Sequence, residues 1–348
     1  MANEMAVRVH PVVLAGGSGT RLWPISTPSR PKHLLEMIGS GTMLEQTLER
    51  VGEPTLFGPA TVVGAAAQAD QVAELAPNAR LLLEPIARGS AAAVALAAWV
   101  ADPDDVLLIL PSDHFITDPA PLYEAVRRGL PIAEAGHLIT FGIQPSEAET
   151  GYGYIIGGAD FAPGVLEASA FVEKPAKEVA EQLLSTGKAF WNSGMFMFRA
   201  GAMLAELERH APAIHAATRL AIDSAAEEGN RLVPDRAALE DCPNTSIDYA
   251  VMEHSDRIAV VPVELAWSDV GSWAAVYDLG SKDGGGNVVD DGSKVLDSRG
   301  CLIRSTGPRI VTVGVEGLVV IATADYVLIV PRSEAQRVRE ASEMMKRT

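Results

Sequence analysis

A glycine-rich segment near the amino terminus constrains the fold of this chain more than any other feature. It runs Pro11-Val-Val-Leu-Ala-Gly-Gly-Ser-Gly-Thr-Arg-Leu-Trp-Pro24, and Lys32 follows it after a further proline. Residues 12–14 predict a buried strand because they show no polar alternation. The glycines that follow permit backbone angles closed to other residues and let main-chain N–H groups approach a ligand. Such a loop after a strand suits a phosphate group or a base edge.

Two familiar glycine-loop patterns do not match this segment. A Walker loop ends in Gly-Lys-Ser/Thr, whereas this loop ends in Gly19-Thr20-Arg21. A dinucleotide-binding fingerprint requires a third glycine where Leu22 stands. From these residues alone, a plain structural turn remains open.

Charge excludes several classes of partner. The 348 residues carry a net charge of −17, so neither a nucleic acid nor an anionic membrane is expected to bind. A protein this acidic must gather cations locally if it handles phosphates, which draws attention to Arg21, Lys32 and Lys174. The longest apolar run, residues 90–100, is too short to span a bilayer. Two cysteines provide no disulfide framework, and we expect a soluble, cytoplasmic protein.

Predicted strands and helices alternate over the first 145 residues or so, which favours a doubly wound α/β fold with a mixed, mostly parallel sheet. Shorter strand-like pieces follow, and residues 246–252 are predicted to open as a helix with Ser246 as its cap. Residues 281–287 have the composition of a flexible linker. We therefore predict one domain over residues 1–280, with halves of about 1–145 and 146–280. A small β domain with a terminal helix is predicted over residues 287–348.

Several further strings strengthen the interpretation of the glycine loop. They are Leu110-Pro-Ser-Asp-His114, Gly151-Tyr-Gly-Tyr154, Phe171-Val-Glu-Lys-Pro175, Trp191-Asn-Ser-Gly194, Ser246-Ile-Asp-Tyr249 and Trp267-Ser-Asp-Val-Gly-Ser-Trp273. With the loop, they resemble the motifs of the sugar-phosphate nucleotidylyltransferases, in that family's order, over residues 11–273 or so. The Leu-Trp-Pro ending of the loop is similar to the mannose-1-phosphate guanylyltransferase branch.

The resemblance implies a Rossmann-like nucleotidyltransferase fold and transfer of GMP from GTP to mannose 1-phosphate, with GDP-mannose and pyrophosphate as products. No protein nucleophile is required, because catalysis rests on positioning and charge neutralisation.

Mg²⁺ is the implied cofactor, held by Asp113 and Asp269. The implied catalytic residues are Arg21, Lys32, Asp113, Lys174 and Asp269. The implied nucleotide-binding residues are Leu14, Ala15, Gly16, Gly17, Ser18, Gly19, Thr20, Arg21, Glu84, Pro85, Arg88, Ser112 and Asp113. Those implied for the sugar phosphate are Gly153, Glu173, Lys174, Asn192 and Asp269.

Each of these residues also has a structural interpretation. Asp113 alone would more often cap a strand end, and Asp269 suits an Asx turn. Glu173 and Lys174 would usually form a solvated surface pair, and Asn192 a turn. The family resemblance is what favours a functional role for them.

The sequence also departs from the family pattern. Gly89-Ser90-Ala91-Ala92 stands where Asn-Thr-Ala-Pro is usual, so the departure falls in the segment near Glu84 and Arg88 that resembles the base pocket. A nucleotidylyltransferase for another substrate pair, such as glucose 1-phosphate with UTP or dTTP, remains open. So does a non-catalytic, nucleotide-sugar-binding regulatory subunit. Longer family members carry a cupin-type isomerase domain, which is not expected here, and a homodimer is considered.

Overall fold

The computed structural model describes residues 9–17 and 20–345 of the chain. The described α-helices are α1 (Met43–Arg50), α2 (Ala69–Leu75), α3 (Gly89–Val100), α4 (Ala120–Glu134), α5 (Lys177–Ser185), α6 (Ala200–His210), α7 (Pro212–Asp223), α8 (Arg236–Glu240), α9 (Trp273–Leu279) and α10 (Val338–Met345). The described strands in the first part of the chain are β1 (His10–Ala15), β2 (Thr61–Ala65), β3 (Arg80–Glu84), β4 (Val106–Pro111), β5 (Phe115–Ile116), β6 (Leu138–Ile143), β7 (Tyr154–Ala162), β8 (Val165–Val172) and β9 (Ala189–Arg199). Those that follow are β10 (Ala226–Glu228), β11 (Arg231–Val233), β12 (Ile258–Val263), β13 (Trp267–Ser268), β14 (Val288–Val289), β15 (Lys294–Leu296), β16 (Leu302–Ser305), β17 (Val311–Val313), β18 (Leu318–Ala322) and β19 (Val327–Pro331).

The chain forms two compact units that interleave along the sequence. The first unit contains residues up to Gly16, Thr47–Ser112 and Ile116–Trp267. The second contains Gly17–Gln46, Asp113–Phe115 and the residues from Ser268 onward. The division at about residue 280 remains a prediction. The second unit is discontinuous in sequence, because two early segments pack with the carboxyl-terminal part.

A single mixed sheet of 11 strands organises the first unit, in the order β10-β11-β3-β2-β1-β4-β9-β6-β12-β8-β7. Strands β3, β2, β1 and β4 run parallel, as do β6 and β12. The long strand β9 enters antiparallel between β4 and β6. This architecture confirms the predicted α/β fold with a mixed sheet.

Helix α3 lies at the centre of the first unit's core. Its residues 91–98 are all buried, as expected for a helix that is apolar on nearly every side. Val12 and Ile109 of the sheet belong to the same apolar cluster, and so do Leu204 and Leu207 of α6. The buried helix therefore holds the parallel strands against the helices that follow them.

In the carboxyl-terminal part of the second unit, successive turns of the chain contribute short strands that pair mostly in parallel. Strands β14, β16 and β18 pair in parallel, β19 closes that sheet antiparallel, and β15 pairs in parallel with β17. The predicted small β domain is thus present. Its core includes Leu302 and Ile321 and, from the early segments, Leu22, Leu35 and Met37.

Two local predictions differ from the structure. Residues 281–287 form a hydrogen-bonded turn, not a flexible linker, because Asp283 Oδ1 accepts from the N–H groups of Gly285 and Asn287, each at 2.8 Å. The segment predicted to open as an α-helix at Ser246 instead forms a π-helix over Asp248–Met252. Ser246 Oγ still accepts from the N–H of Tyr249 at 3.3 Å, as a capping serine would.

None of the described helices has the length and apolar character needed to cross a membrane.

Candidate active site

The carboxyl ends of parallel strands meet at one edge of the large sheet in the first unit. Leu14 of β1 pairs with Pro111 of β4, and Ala15 with Gly64 of β2. The next strand, β3, pairs in parallel with β2 and ends at Glu84. Ligands of open α/β sheets bind at such an edge. Part of the predicted nucleotide-binding set is therefore gathered there.

The described part of the glycine loop is open to solvent. Gly16 and Gly17 are exposed, and a Cβ added to either would meet no described atom within 4 Å. Gly17 has a φ of 100°, which a side chain would strain. Ser18 and Gly19 lie outside the described residues, and Thr20 begins a short 3₁₀ helix that ends at Leu22.

Glu84 and Arg88 have different surroundings in the first unit. Glu84 is half-buried, and burial raises its pKa to about 7. Arg88 Nε donates to the main-chain oxygen of Leu239 at 2.8 Å, and Nη2 donates to that of Glu240. The Arg88 guanidinium therefore caps the carboxyl end of α8, where a cation is favoured. Its contact with a nucleotide stays a prediction.

Pro85 and Ser112 also take part in main-chain hydrogen bonds. The carbonyl oxygen of Pro85 accepts from Arg236 Nη1 at 3.0 Å. Ser112 is fully buried after β4, and its N–H donates to the oxygen of Leu14 at 3.1 Å. This bond fixes the main chain just before Asp113.

In the second unit, a lysine and two aspartates converge, and we call them the lysine–aspartate cluster (Lys32, Asp113 and Asp269). Lys32 Nζ lies 3.0 Å from Asp113 Oδ2 and also donates to the main-chain oxygen of Asp269. Burial would raise the pKa of Asp113, but the Lys32 ammonium, with His114 and His33, outweighs it and holds that pKa below its usual value. Asp113 is therefore a carboxylate at neutral pH.

Arg21 and the Asp269 carboxylate both lie next to Gly271 in the second unit. A Cβ built on Gly271 would lie 2.8 Å from Asp269 Oδ2 and 3.2 Å from Arg21 Nη1. Asp269 Oδ1 accepts from the N–H of Gly271 at 3.1 Å, which is the Asx-type turn considered from the sequence. The turn thus orients the carboxylate and leaves room beside it because residue 271 has no side chain.

Backbone strain marks two of the motifs. The described non-glycine residues with left-handed φ are Lys174 at 43°, Val270 at 46° and Asp297 at 51°. For the β-branched Val270 this conformation is costly, and such outliers cluster at functional sites. Lys174 and Val270 both lie in motifs that the sequence singled out.

In the first unit, four of the five residues predicted to hold the sugar phosphate form a second group together with Asp248. We call it the glutamate–asparagine cluster (Gly153, Glu173, Lys174, Asn192 and Asp248). Lys174 Nζ contacts Glu173 Oε1, and a Cβ on Gly153 would lie 2.5 Å from Glu173 Oε2. The N–H of Asn192 donates to the oxygen of Gly153 at 2.8 Å. These predicted residues are therefore brought together.

Sequence reasoning missed Asp248 as a member of this cluster. Asn192 Nδ2 donates to Asp248 Oδ1 at 2.7 Å. Burial raises the pKa of Asp248, the Asn192 bond opposes that shift, and the nearby Glu173 adds to it. The sequence does offer a signal for Asp248, because it lies in the family-like string Ser246-Ile-Asp-Tyr249, from which no residue was assigned to a substrate.

The sequence matches the nucleotidyl transferase family over residues 10–284, so a nucleotidyl transferase is the class that the fold and the site define. Residues 292–345 match the MannoseP isomerase/GMP-like beta-helix domain. A mannose-1-phosphate guanylyltransferase of Escherichia coli is 39% identical over 348 residues, which cover 97% of this chain and 74% of that protein. The alginate biosynthesis protein AlgA of Pseudomonas aeruginosa is 40% identical, with 94% and 70% covered. The chain belongs to the mannose-1-phosphate guanylyltransferase family.

A solved structure agrees with this assignment. The crystal structure of mannose-1-phosphate geranyltransferase from Thermus thermophilus superposes with a TM-score of 0.86 at 34% identity. The matched region covers 98% of this chain and 100% of the Thermus thermophilus chain. The similarity extends over both compact units.

Proposed function

We propose that this protein transfers GMP from GTP to mannose 1-phosphate, releasing GDP-mannose and pyrophosphate. A phosphate oxygen of mannose 1-phosphate attacks the α-phosphorus of GTP. The new P–O bond forms as the bond to the β-phosphate oxygen breaks, and pyrophosphate leaves with the electron pair. Such a reaction needs positioned charges and no covalent enzyme intermediate.

The observation that carries the proposal is the convergence of Lys32 and Asp113 on one another beside the main chain of Asp269. The Lys32 side chain is only 7% exposed and forms an ion pair with Asp113. The chain that carries this buried cation has a net charge of −17. Together with Arg21, it supplies positive charge for the phosphates of GTP and for the leaving pyrophosphate. Preorganised charge of this kind is the main catalytic resource for phosphoryl transfer.

The glutamate–asparagine cluster supports the assignment of the second substrate. Glu173 and Asn192 offer a carboxylate and an amide, which bind hydroxyl groups, and their side chains are only partly exposed. The Lys174 side chain is 63% exposed and carries the positive charge that a sugar phosphate requires. We assign sugar hydroxyls to Glu173, Asn192 and the main chain at Gly153, and the acceptor phosphate to Lys174.

The lysine–aspartate cluster also fits a divalent cation. Asp113 is ionised, and it and Asp269 offer hard oxygen ligands, the donor type that Mg²⁺ prefers when phosphate supplies the remainder. We propose that these two carboxylates hold Mg²⁺. When bound, Mg²⁺ neutralises phosphate charge and acts as a Lewis acid.

We further propose that the protein acts in the cytoplasm. Its two cysteines, Cys242 and Cys301, are both buried and unpaired, as is usual in a reducing compartment. We also propose that the chain assembles as a homodimer, which light scattering at several concentrations tests.

Pyrophosphate release across a matrix of substrates tests the function. GTP, ATP, UTP and dTTP would each be paired with mannose 1-phosphate and glucose 1-phosphate. The expected result is the highest kcat/KM for GTP with mannose 1-phosphate. A higher value for UTP or dTTP with glucose 1-phosphate would reassign the substrates. Binding of GDP-mannose without turnover of any pair would make the chain a regulatory subunit.

A further inference from the structure

The carboxylate of Asp248 fixes the orientation of the Asn192 amide. Nδ2 of Asn192 donates to Asp248 Oδ1 at 2.7 Å, and Oδ1 of Asn192 accepts from the N–H of Gly194 at 3.1 Å. An amide has two donor hydrogens on nitrogen and an acceptor oxygen. Rotating the Asn192 amide by 180° would place its Oδ1 against the Asp248 carboxylate and its Nδ2 hydrogens against the N–H of Gly194. Asp248 and the Gly194 main chain therefore select one of the two orientations.

The main chain around Asp248 is itself held in place. The N–H of Ile247 donates to Ser90 Oγ of α3 at 3.0 Å. In the π-helix that Asp248 opens, Ala250, Val251 and Met252 are buried. Such π-helical turns occur frequently at functional sites. The carboxylate thus projects from a segment that is anchored on both sides.

We infer that Asp248 is a positioning residue for sugar recognition, acting through Asn192. It holds the Asn192 amide so that one Nδ2 hydrogen and one oxygen lone pair remain for the hydroxyls of the sugar phosphate. This inference rests on the proposed function, which assigns Asn192 to the sugar. It does not require Asp248 itself to touch substrate.

The nearby charges do not replace Asp248 in this role. Glu173 contacts Lys174 through Oε1 and faces Gly153 through Oε2. Glu253 is exposed at the far end of the π-helical turn. With Asp248 removed, Asn192 would keep only the Gly194 contact among the described hydrogen bonds to its side chain.

The test is a set of variants assayed for KM of each substrate separately. Asp248→Ala removes the acceptor, whereas Asp248→Asn keeps an oxygen that can accept from Asn192. We expect Asp248→Ala to raise KM for mannose 1-phosphate roughly tenfold, the effect of one lost oriented hydrogen bond, with KM for GTP unchanged within about twofold. Asp248→Asn should restore most of the affinity. Asp256→Asn, in the same segment and exposed, serves as the matched control.

A double mutant separates positioning from direct binding. If Asp248 acts through Asn192, Asp248→Ala combined with Asn192→Ala should match Asn192→Ala alone within about twofold. Additive effects would overturn the inference while leaving the proposed function intact, and so would an equal rise in KM for GTP. If Asn192→Ala leaves KM for mannose 1-phosphate unchanged, the sugar assignment fails and the inference with it. Melting temperatures of all variants would show whether Asp248→Ala simply unfolds, in which case Asp248→Leu and Asp248→Asn decide the outcome.

Discussion

Lys32 and Asp113 form an ion pair of 3.0 Å in which the lysine side chain is 7% exposed and the aspartate 34%. The same Lys32 nitrogen donates to the main chain of Asp269. One cation therefore ties together the two strings that carry the predicted metal ligands. Lys32 therefore holds the position of Asp113, and in the proposed reaction it also supplies positive charge to the phosphates.

Removing the loop cations should abolish most of the activity. We expect Lys32→Ala and Arg21→Ala each to lower kcat/KM on the order of a hundredfold or more, because each removes preorganised charge from the reaction. Steady-state pyrophosphate release measures the effect. Lys294→Ala, which removes an exposed lysine of the second unit, is the control. Near-normal turnover in either variant would make that residue a bystander.

Gly271 should be required for activity and not for folding. A Cβ at this position would meet the carboxylate end of Asp269, 2.8 Å away, and that side chain can move. We therefore expect Gly271→Ala to displace the carboxylate and lower kcat by roughly tenfold or more, since small misplacements are costly in catalysis. Melting temperature should change little.

The matched control for that variant is Gly292→Ala, where an added Cβ meets no described atom within 4 Å. Full activity of Gly271→Ala would show that the position of the Asp269 carboxylate does not matter.

Substitutions in the glutamate–asparagine cluster should weaken the binding of mannose 1-phosphate and leave that of GTP unchanged. Glu173→Gln and Asn192→Ala are expected to raise KM for mannose 1-phosphate by roughly tenfold, because each loses a hydrogen bond to a hydroxyl group. GTP affinity, measured by calorimetric titration, should stay close to that of the wild type. Glu181→Gln on the exposed face of α5 is the control. An equal loss of GTP affinity would move these residues to the nucleotide site.

Activity should depend strictly on Mg²⁺. Carboxylates near a triphosphate repel it, and a divalent cation reverses the sign of that interaction. Excess chelator should therefore stop pyrophosphate release, and Mg²⁺ should restore it. Asp113→Asn and Asp269→Asn should each raise the Mg²⁺ concentration needed for half-maximal rate. Full activity in excess chelator would exclude the metal role.

Glu84 should make stability depend on pH. Its folded pKa of about 7 lies above the ordinary value of 4.5, so the folded state favours the protonated form. The resulting stabilisation is complete below pH 4.5 and is lost as the pH rises to about 7; a shift of that size corresponds to at most about 3 kcal/mol.

Glu84→Gln mimics the protonated form at every pH. Its melting temperature relative to the wild type should therefore increase between pH 5 and pH 8. Glu74→Gln, at an exposed position of α2, should show no such trend. If the difference in melting temperature between Glu84→Gln and the wild type does not change with pH, the pKa of Glu84 is not raised in the folded state.

Short-range patterns were sufficient for much of this protein. The apolar runs of β1 and β4 and the alanine-rich α3 could be predicted because burial on all sides leaves no polar alternation. The site strings could be identified because, with the glycine loop, they match the motifs of a known family in that family's order. The turn at residues 281–287 could not be predicted, since its order comes from one carboxylate, Asp283, that accepts several N–H groups.

The sequence by itself determined the family motifs and, through them, the candidates for the chemistry, because phosphates and hydroxyls require particular side chains. Only the tertiary structure decided how those residues are held. Arg304 in β16 donates to the main-chain oxygens of Glu36 and Met37, so the segment that follows Lys32 is fixed by a strand more than 260 residues later. Lys32 likewise reaches the main chain of Asp269 across 237 positions. Contacts over such separations leave no periodicity in the sequence, since they depend on how distant segments pack.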